Sequence, residues 1–459
     1  MGRALRPLGL AILAAAFAVP VSGQGSSVYN HSACGSGRGG AAVAAPCADA
    51  SGVYYNPGAL ALSPSAIGLG FTAINNSGSF VFDETGREVE REGATPVVPH
   101  GYLSYRFGSD QRWAGSFGFW APYGLGIEWP QDFEGRYISH KTQLQGLYLQ
   151  PTISYQLIPG KLAIGAGPQI VLGGIELNQT LDAPTLTEDL SFLPLETDVA
   201  TARLDGDGVG FGGAVGVYYR VSERLAFGAR YMHSVKVDLE GTADFEALSN
   251  PDIFVPITDP ESGSLVMVPL DAVVAQQMAA GGPLADQGVD ASLEFPPQAV
   301  LGVMYAPTAT LALMADYQWT GWSTFDEILG EFESDAAEDL VLPLDYKDAH
   351  TVRIGTELAA TAALDLRGGF IYNTAATPDQ TVTPILPEAE RQLYSIGLGY
   401  DFGALRADAF YNYVNQADRR GRVRGELPGD FTIDDLNIGV YSSTAHLLGL
   451  TLTYTFGAR

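Results

Sequence analysis

Charged side chains recur at alternating positions in the strand-like segments of this chain, on the face that is less apolar. Three of them are arginines that could bind a ligand: Arg230, Arg353 and Arg391. A guanidinium group meets a carboxylate through two parallel N–H donors, so one or two of these arginines could hold a ligand carboxylate. The alternative is a structural network of ion pairs, because buried charges are normally paired and both signs occur on this face. The neighbours of mixed sign are Glu357, Arg406 and Asp408.

Other reactive residue types do not form a recognisable site. An enzyme such as a lipase or protease needs a nucleophile beside a base, typically Ser and His. Four histidines lie on or near predicted strands without a convincing partner set: His140, His233, His350 and His446. None of the histidines has the spacing of zinc ligands. We therefore expect no enzymatic activity, no metal and no cofactor.

The N-terminus has the pattern of a secretory signal peptide, which we assign to residues 1–23. Arg3 and Arg6 supply its charged region, and the apolar stretch 8–19 precedes small residues that suit cleavage. The mature protein is then exported. In an oxidising compartment a local disulfide between Cys34 and Cys47 is expected, with two free thiols as the alternative.

The balance of charge excludes one class of partner. The chain has 52 Asp and Glu residues against 25 Lys and Arg residues, a formal net charge of −27. Because phosphate binding needs a basic surface, a nucleic-acid partner is not expected. After the N-terminus, no apolar run reaches the roughly 18 residues of a transmembrane helix.

Alternation of apolar and small or polar residues is the dominant pattern after residue 65, as in 446–456 at the end of the chain. These segments have the length that a tilted strand needs to cross a bilayer, roughly 9–11 residues. We therefore predict an all-β fold, a transmembrane antiparallel β-barrel of about 14 strands. The predicted strands are 66–82, 96–108, 112–121, 142–158, 161–178, 203–220, 224–240, 291–306, 309–322, 347–360, 362–374, 389–401, 404–415 and 444–456.

Short turns and long connections alternate along the predicted strands, as outer-membrane barrels require. Both ends of the barrel then lie on the periplasmic side. The barrel is assigned to residues 66–459. Residues 24–65 are Gly-rich and not strand-periodic, and so short a stretch cannot fold alone. We expect this stretch to fill the lumen as an N-terminal plug.

The alternation also predicts which residues face the lipid. In the segment 224–240, Phe227, Val235 and Val237 are expected to face outward, with Arg230 and Lys236 inside.

Two motifs precede the first predicted strand, namely Gly37-Arg38-Gly39-Gly40-Ala41 and Tyr54-Tyr55-Asn56-Pro57-Gly58-Ala59-Leu60. They resemble the plug, or hatch, of the FadL/TodX family of outer-membrane transporters for long-chain fatty acids and other hydrophobic compounds. Gly58 stands where the family usually has Ala, and Ala59 where Gly is usual. Weaker similarity continues in 121–125 and 149–155.

This resemblance implies passive uptake of hydrophobic molecules, such as long-chain fatty acids or hydrocarbons, across the bacterial outer membrane. Asn56, Pro57 and Gly58 would belong to the plug motif. A kink in the third strand would release the ligand sideways into the membrane. The candidate residues of that lateral gate are Gly115, Gly118 and Pro122. The expected partners are a hydrophobic ligand, outer-membrane lipid and lipopolysaccharide, and the barrel-assembly machinery, with the protein itself a monomer.

Two alternatives remain at the level of sequence. A general diffusion porin or a structural or adhesive outer-membrane protein would share the barrel, although neither needs a Gly-rich plug. The glycines of the third strand could permit a bulge or could simply pack against neighbouring strands.

Overall fold

The computed structural model describes residues 30–186, 190–258, 263–421 and 437–456. The predicted signal peptide, 1–23, lies outside the described residues. Within them, the wall consists of 14 antiparallel strands, two of which are broken into two segments. The strands are β1 Ser65–Phe82, β2 Val97–Phe107, β3 Trp113–Glu128, β4 Lys141–Ile158, β5 Leu162–Asp182, β6 Asp198–Ser222, β7 Leu225–Met232 with Val235–Ala247, β8 Gln287–Phe295 with Gln298–Tyr305, β9 Leu311–Thr320, β10 Ala349–Ala359, β11 Leu364–Asn373, β12 Arg391–Asp401, β13 Leu405–Gln416 and β14 Gly439–Phe456.

The first and last strands close the wall. β1 pairs with β2 on one side and with β14 on the other, with Ser65 opposite Phe456 and Phe82 opposite Gly439. Closure removes the unpaired edges that an open sheet would expose. The predicted antiparallel barrel of about 14 strands is thus confirmed. Among the described residues, no helix has the length and apolar character needed to cross a membrane.

The outer face of the wall is apolar, as a lipid-facing surface requires. Large apolar side chains at alternate positions are exposed, among them Leu69 at 56%, Leu301 at 62% and Ile396 at 63%. Ala66 and Thr72, on the other face of β1, are fully buried. The alternation seen in the sequence therefore separates a lipid-facing surface from an inner surface.

The two broken strands depart from this regular alternation. β7 is interrupted at 233–234 and β8 at 296–297. Pairing of β6 with β7 stops at Ala214 opposite Met232 and resumes at Asp207 opposite Glu240, so six residues of β6 face seven of β7. An extra residue moves the following side chains to the opposite face.

The expectation that Val235 and Val237 face outward is wrong, because both are fully buried, whereas Lys236 is exposed. Glycines in β6 allow β7 to approach so closely. A Cβ atom on Gly208 would lie 2.0 Å from the backbone oxygen of Asp238, and one on Gly210 would lie 2.6 Å from that of Lys236. The part of β7 that follows its break thus occupies the space that side chains of β6 would otherwise fill.

Long connections lie at one end of the barrel and carry further elements. The strands among them are Glu88–Glu90, Phe254–Thr258, Leu265–Pro269, Glu327–Phe332, Leu340–Pro343 and Arg419–Arg420. The helical pieces are α-helices Ala183–Leu186 and Leu270–Gln277 and 3₁₀ turns Glu134–Tyr137, Trp322–Thr324 and Asp379–Thr381. The other end has short turns, together with the start of β1 and the end of β14.

Residues 30–64, here called the inner segment, precede β1. They form helices α1 Ala33–Gly37 and α2 Gly52–Tyr55 and a 3₁₀ turn, Pro57–Leu62. Nearly all of these residues are buried. A disulfide joins Cys34 to Cys47, with the two Cα atoms 6.2 Å apart. The short helices are therefore held by a covalent loop and by the surrounding wall.

Candidate functional site

The motif around Asn56 attaches the inner segment to the wall. Asn56 Nδ2 donates to the backbone oxygens of Val43 at 2.7 Å and Val217 at 2.9 Å, and its Oδ1 accepts from Gly58 N at 3.0 Å. A Cβ atom on Gly58 would lie 2.7 Å from the backbone oxygen of Gly216 in β6, so glycine permits this approach. Ser154 Oγ donates to the Pro57 oxygen at 2.6 Å. The three predicted motif residues therefore all lie against the wall.

Two of the three candidate arginines lie beside the inner segment. Arg230 Nη1 donates to the backbone oxygen of Tyr54 at 2.9 Å, and Arg353 Nη2 donates to Gln318 Oε1 at 2.7 Å. Both arginines line one small cavity with Asp316, which also accepts from two backbone N–H groups of the segment. Arg230 and Arg353 are thus engaged by protein groups where the wall meets the segment.

Arg391, the third candidate, lies at the other end of the inner wall, as the first residue of β12. Its Nε donates to Gln416 Oε1 at 2.6 Å. Arg91, in the connection before β2, was not singled out from the sequence. Arg91 Nη2 donates to the Gly126 oxygen at 3.3 Å, and its guanidinium carbon lies 5.9 Å from the Trp129 ring centroid. Burial, and then the charge of Arg391, lower the pKa of Arg91 to about 10.

The charges of mixed sign form an ion-pair network near the short-turn end. Arg367 contacts Glu357 and Asp408, each at 2.6 Å, and Arg406 contacts Asp365 and Asp408. Arg38 of the inner segment lies 3.8 Å from Glu357. The cations and carboxylates are paired with one another, as buried charges normally are, and Arg38 joins the inner segment to this network.

Strand β3 contains an irregularity next to Pro122. Trp120 lies opposite Tyr148 of β4, but Tyr123 lies opposite Gly146, so β3 has one extra residue there. The strand continues to Glu128, seven residues beyond the predicted end at 121. Of the gate candidates, only Pro122 lies at the bulge. Gly118 faces inward, where a Cβ atom would lie 2.7 Å from the Tyr102 ring, and Gly115 lies opposite Tyr105 in regular pairing.

The wall is interrupted beside this bulge. The pairing of β2 with β3 ends at Gly101 opposite Phe119, and among the described residues 120–127 of β3 have no partner on β2. A cavity lies at this gap, lined among others by Arg91, Pro96, Gly126 and Ile127. Glu92 and Glu128 pair with each other at the far end of this gap. The gap in strand pairing, together with its cavity, is here called the wall opening.

An apolar chamber occupies the inner side of strands β4 to β8. The empty space among its lining residues is about 540 Å³, a figure that includes open solvent. Its lining includes Leu177, Leu204, Leu239, Val289, Ile328 and Leu342. The same buried apolar cluster continues to Leu125 and Ile127 of β3, beside the wall opening.

Aromatic rings lie between the chamber and the inner segment. The Tyr123 ring stacks on Phe295 with centroids 5.2 Å apart and meets Trp322 edge-on at 5.8 Å. The ring centroid of Trp120 lies 5.7 Å from that of Tyr54 in the inner segment. We call Trp120, Tyr123, Tyr148, Phe295 and Trp322 the aromatic constriction. A closed barrel with an apolar chamber, a constriction and an interrupted wall defines a membrane protein of the channel class.

Comparison with known proteins agrees with this class. The sequence profile of the family described as outer membrane protein transport protein (OMPP1/FadL/TodX) matches residues 14–456. The chain belongs to this family and is a protein of the bacterial outer membrane. The resemblance noted in the sequence is thereby confirmed.

Individual relatives are distant in sequence. Outer membrane protein P1 of Haemophilus influenzae is 25% identical over 355 residues, covering 73% of this chain and 70% of the relative. The long-chain fatty acid transport protein of Salmonella typhi is 22% identical over 413 residues, covering 86% and 87%.

Two solved structures show the same fold. The Pseudomonas aeruginosa FadL homologue superimposes with a TM-score of 0.78 at 20% identity, covering 94% of this chain and 99% of that one. The P. putida toluene transporter TodX superimposes with a TM-score of 0.70 at 18% identity, covering 93% and 99%.

Proposed function

We propose that this protein is a passive channel for the uptake of hydrophobic molecules, such as long-chain fatty acids or hydrocarbons, across the outer membrane. The observation that carries the proposal is the apolar chamber, whose buried cluster continues to the wall opening at β3. The names of the relatives support the same substrate class. A fatty-acid transport protein and a toluene transporter are among them.

The ligand leaves sideways through the gap between β2 and β3. A hydrophobic solute gains nothing by entering periplasmic water, since each exposed methylene costs about 0.8 kcal/mol. Lateral release keeps it in an apolar environment from chamber to membrane. Residues 24–65 act as the plug of the barrel domain 66–459, which supports a selective path over general diffusion.

The protein works as a monomer in contact with outer-membrane lipid and lipopolysaccharide, and the barrel-assembly machinery inserts it. Exposed Tyr and His side chains towards the long-connection end support the lipid contact, since aromatic girdles mark membrane interfaces. In one such pair Tyr317 Oη lies 2.8 Å from His350 Nδ1, and in a second pair the half-buried Tyr411 has its Oη 2.7 Å from Nδ1 of the exposed His446.

The experiment compares apolar and polar solutes in proteoliposomes. Oleate and toluene are expected to enter faster than in protein-free vesicles, whereas sucrose is excluded in a swelling assay. Ala291→Phe, which places a ring in the chamber, is expected to slow apolar uptake. Ala299→Phe on the outer face of the same strand is the matched control. Free sucrose passage through the wild type would overturn the proposal.

A further inference from the structure

A chain of buried hydrogen bonds links the bulged strand to the inner segment. Gln298 Nε2 donates to Tyr123 Oη at 2.8 Å, and Arg230 Nη2 donates to Gln298 Oε1 at 2.6 Å. Arg230 Nη1 donates to the Tyr54 backbone oxygen at 2.9 Å. All four residues are at most 4% exposed. Strands β3, β8 and β7 are thereby connected to α2, although they are far apart in sequence.

The chemistry of the groups fixes the direction of each hydrogen bond. Arginine has N–H donors and no acceptor, so Gln298 must turn its oxygen towards Arg230 and its amide N–H towards Tyr123. The Tyr123 hydroxyl then donates its own proton to the backbone oxygen of Pro296, at 2.7 Å. Pro296 lies in the break of β8, outside its paired residues. Displacing the Tyr123 hydroxyl therefore leaves the buried Gln298 amide without its acceptor.

The Tyr123 ring lies where the ligand path meets this chain. It stacks on Phe295 in the aromatic constriction and comes directly after the bulge at Pro122. Leu125 and Ile127, which follow it on the same face, belong to the apolar cluster that joins the chamber to the wall opening. On the ligand path proposed above, a molecule that moves through this cluster from the chamber to the wall opening reaches the Tyr123 ring.

The other end of this chain of hydrogen bonds contacts the inner segment at Tyr54. The Arg230 guanidinium carbon lies 4.4 Å from the centroid of the Tyr54 ring, in addition to its hydrogen bond with the Tyr54 backbone. A buried cation over an aromatic ring adds to the hydrogen bond in energy. A shift of Arg230 therefore changes two contacts of α2 together.

We propose that Gln298 and Arg230 are positioning residues that couple Tyr123 to the inner segment, so that a ligand displacing the Tyr123 ring loosens the segment at Tyr54. The inference rests on the proposed function, because the coupling acts on the same ligand path. It gives Arg230 the role of a connector instead of a carboxylate partner. Ligand occupancy and plug opening become one linked equilibrium.

The test measures binding and segment opening separately in the full-length protein in proteoliposomes, with oleate and toluene as parallel probes. Binding is followed by tryptophan fluorescence quenching, and opening by amide hydrogen exchange of residues 50–56. Tyr123→Phe removes one hydroxyl oxygen and keeps the ring. Probe affinity is expected to stay within about twofold, while the probe-induced rise in exchange falls about tenfold, a loss of about 1.4 kcal/mol in coupling.

Gln298→Leu is expected to give the same loss, and the double variant no further loss, because both changes break one chain. Tyr231→Phe, at an exposed tyrosine on the outer face of β7 next to Arg230, is expected to keep the wild-type response. A wild-type response of exchange in Tyr123→Phe would overturn the proposal. An equal fall of affinity and response would also overturn it, since that marks a merely structural role. Absence of probe binding to the wild type would instead count against the proposed function.

Discussion

Asp207 and Glu240 lie directly opposite each other on the outer face of strands β6 and β7. Glu240 also faces Asp290 of β8, which in turn faces Glu331 in the neighbouring connection. Four exposed carboxylates thus form one row across four strands. Like charges directly opposite each other on a sheet repel and destabilise it.

Neutralising one member of this row is expected to stabilise the protein. Glu240→Gln removes two repulsive contacts and should raise stability by about 0.5–1 kcal/mol, more at low salt. The measurement is the thermal unfolding midpoint in detergent. Glu294→Gln is the control, because Glu294 faces Lys236 and its neutralisation removes an attraction. Equal midpoints for Glu240→Gln and wild type at low salt would contradict the repulsion.

Deletion of Ala121 is expected to impair lateral release. The deletion removes the extra residue of β3 while Tyr123, Leu125 and Ile127 keep their inward orientation, so the strand can run straight beside β4. Oleate uptake by proteoliposomes should fall several-fold. Gly115→Ala, at a site with ordinary space on the same strand, is the control. Undiminished uptake by a correctly folded deletion variant would place the exit elsewhere.

Asp316→Ala is expected to loosen the inner segment. Asp316 Oδ2 accepts from Ala42 N at 2.9 Å and from Val43 N at 3.1 Å, and each buried donor left unsatisfied costs about 1–3 kcal/mol. Hydrogen exchange at 40–45 and passage of small sugars should both increase. Asp238→Ala removes an exposed carboxylate instead and should change neither. Unchanged exchange in Asp316→Ala would show that other contacts hold this part of the segment.

Glu388 predicts a pH dependence of stability. Burial raises the pKa of its carboxyl above the ordinary value of 4.5, although its Oε2 accepts from Ala376 N and Thr377 N. Between the two values the folded state holds more protons than the unfolded state, so stability falls as pH rises through this window. Glu388→Gln should remove this fall. At pH values above the window, its unfolding midpoint should therefore be higher than that of the wild type.

The midpoint is measured from about pH 4 to about pH 8, spanning the ordinary pKa of Glu. Glu390→Gln, at an exposed site two residues further on, is the control and should leave the profile unchanged. A Glu388→Gln profile that still falls in parallel with the wild type would assign the effect to another group.

The barrel could be predicted because its signal is local. Alternation within each strand and the order of short and long connections are properties of neighbouring residues, and they sufficed for strand number and closure. The error at Val235 and Val237 arose because the alternation was continued through the break in β7, where the following side chains change to the opposite face. Two sequence features accompany that break, namely Pro296-Pro297 in β8 and the alternate glycines of β6. They can be connected with β7 only when the pairing between the strands is known.

The functional arrangement was less predictable, because it depends on contacts between distant strands. The inward positions of Arg230 and Arg353 followed from parity, but their hydrogen-bond partners did not, namely Tyr54 of the inner segment for Arg230 and Gln318 of β9 for Arg353. The chamber combines residues of β4 to β8 with those of two long connections. Arg91 lies in a connection without periodicity, so no pattern marked it.

The hydrogen bond from Ala33 N to Thr451 Oγ1, at 2.9 Å, joins the inner segment to β14, the last strand of the barrel. The segment also contacts β1 and β2, since Thr72 donates to the Asn30 oxygen and Tyr102 to the His31 oxygen. Its surroundings therefore include both strands that meet at the closing seam. The segment thus bridges the closing seam from the inside, so that its hydrogen bonds hold the first and last strands next to each other in addition to the pairing between them.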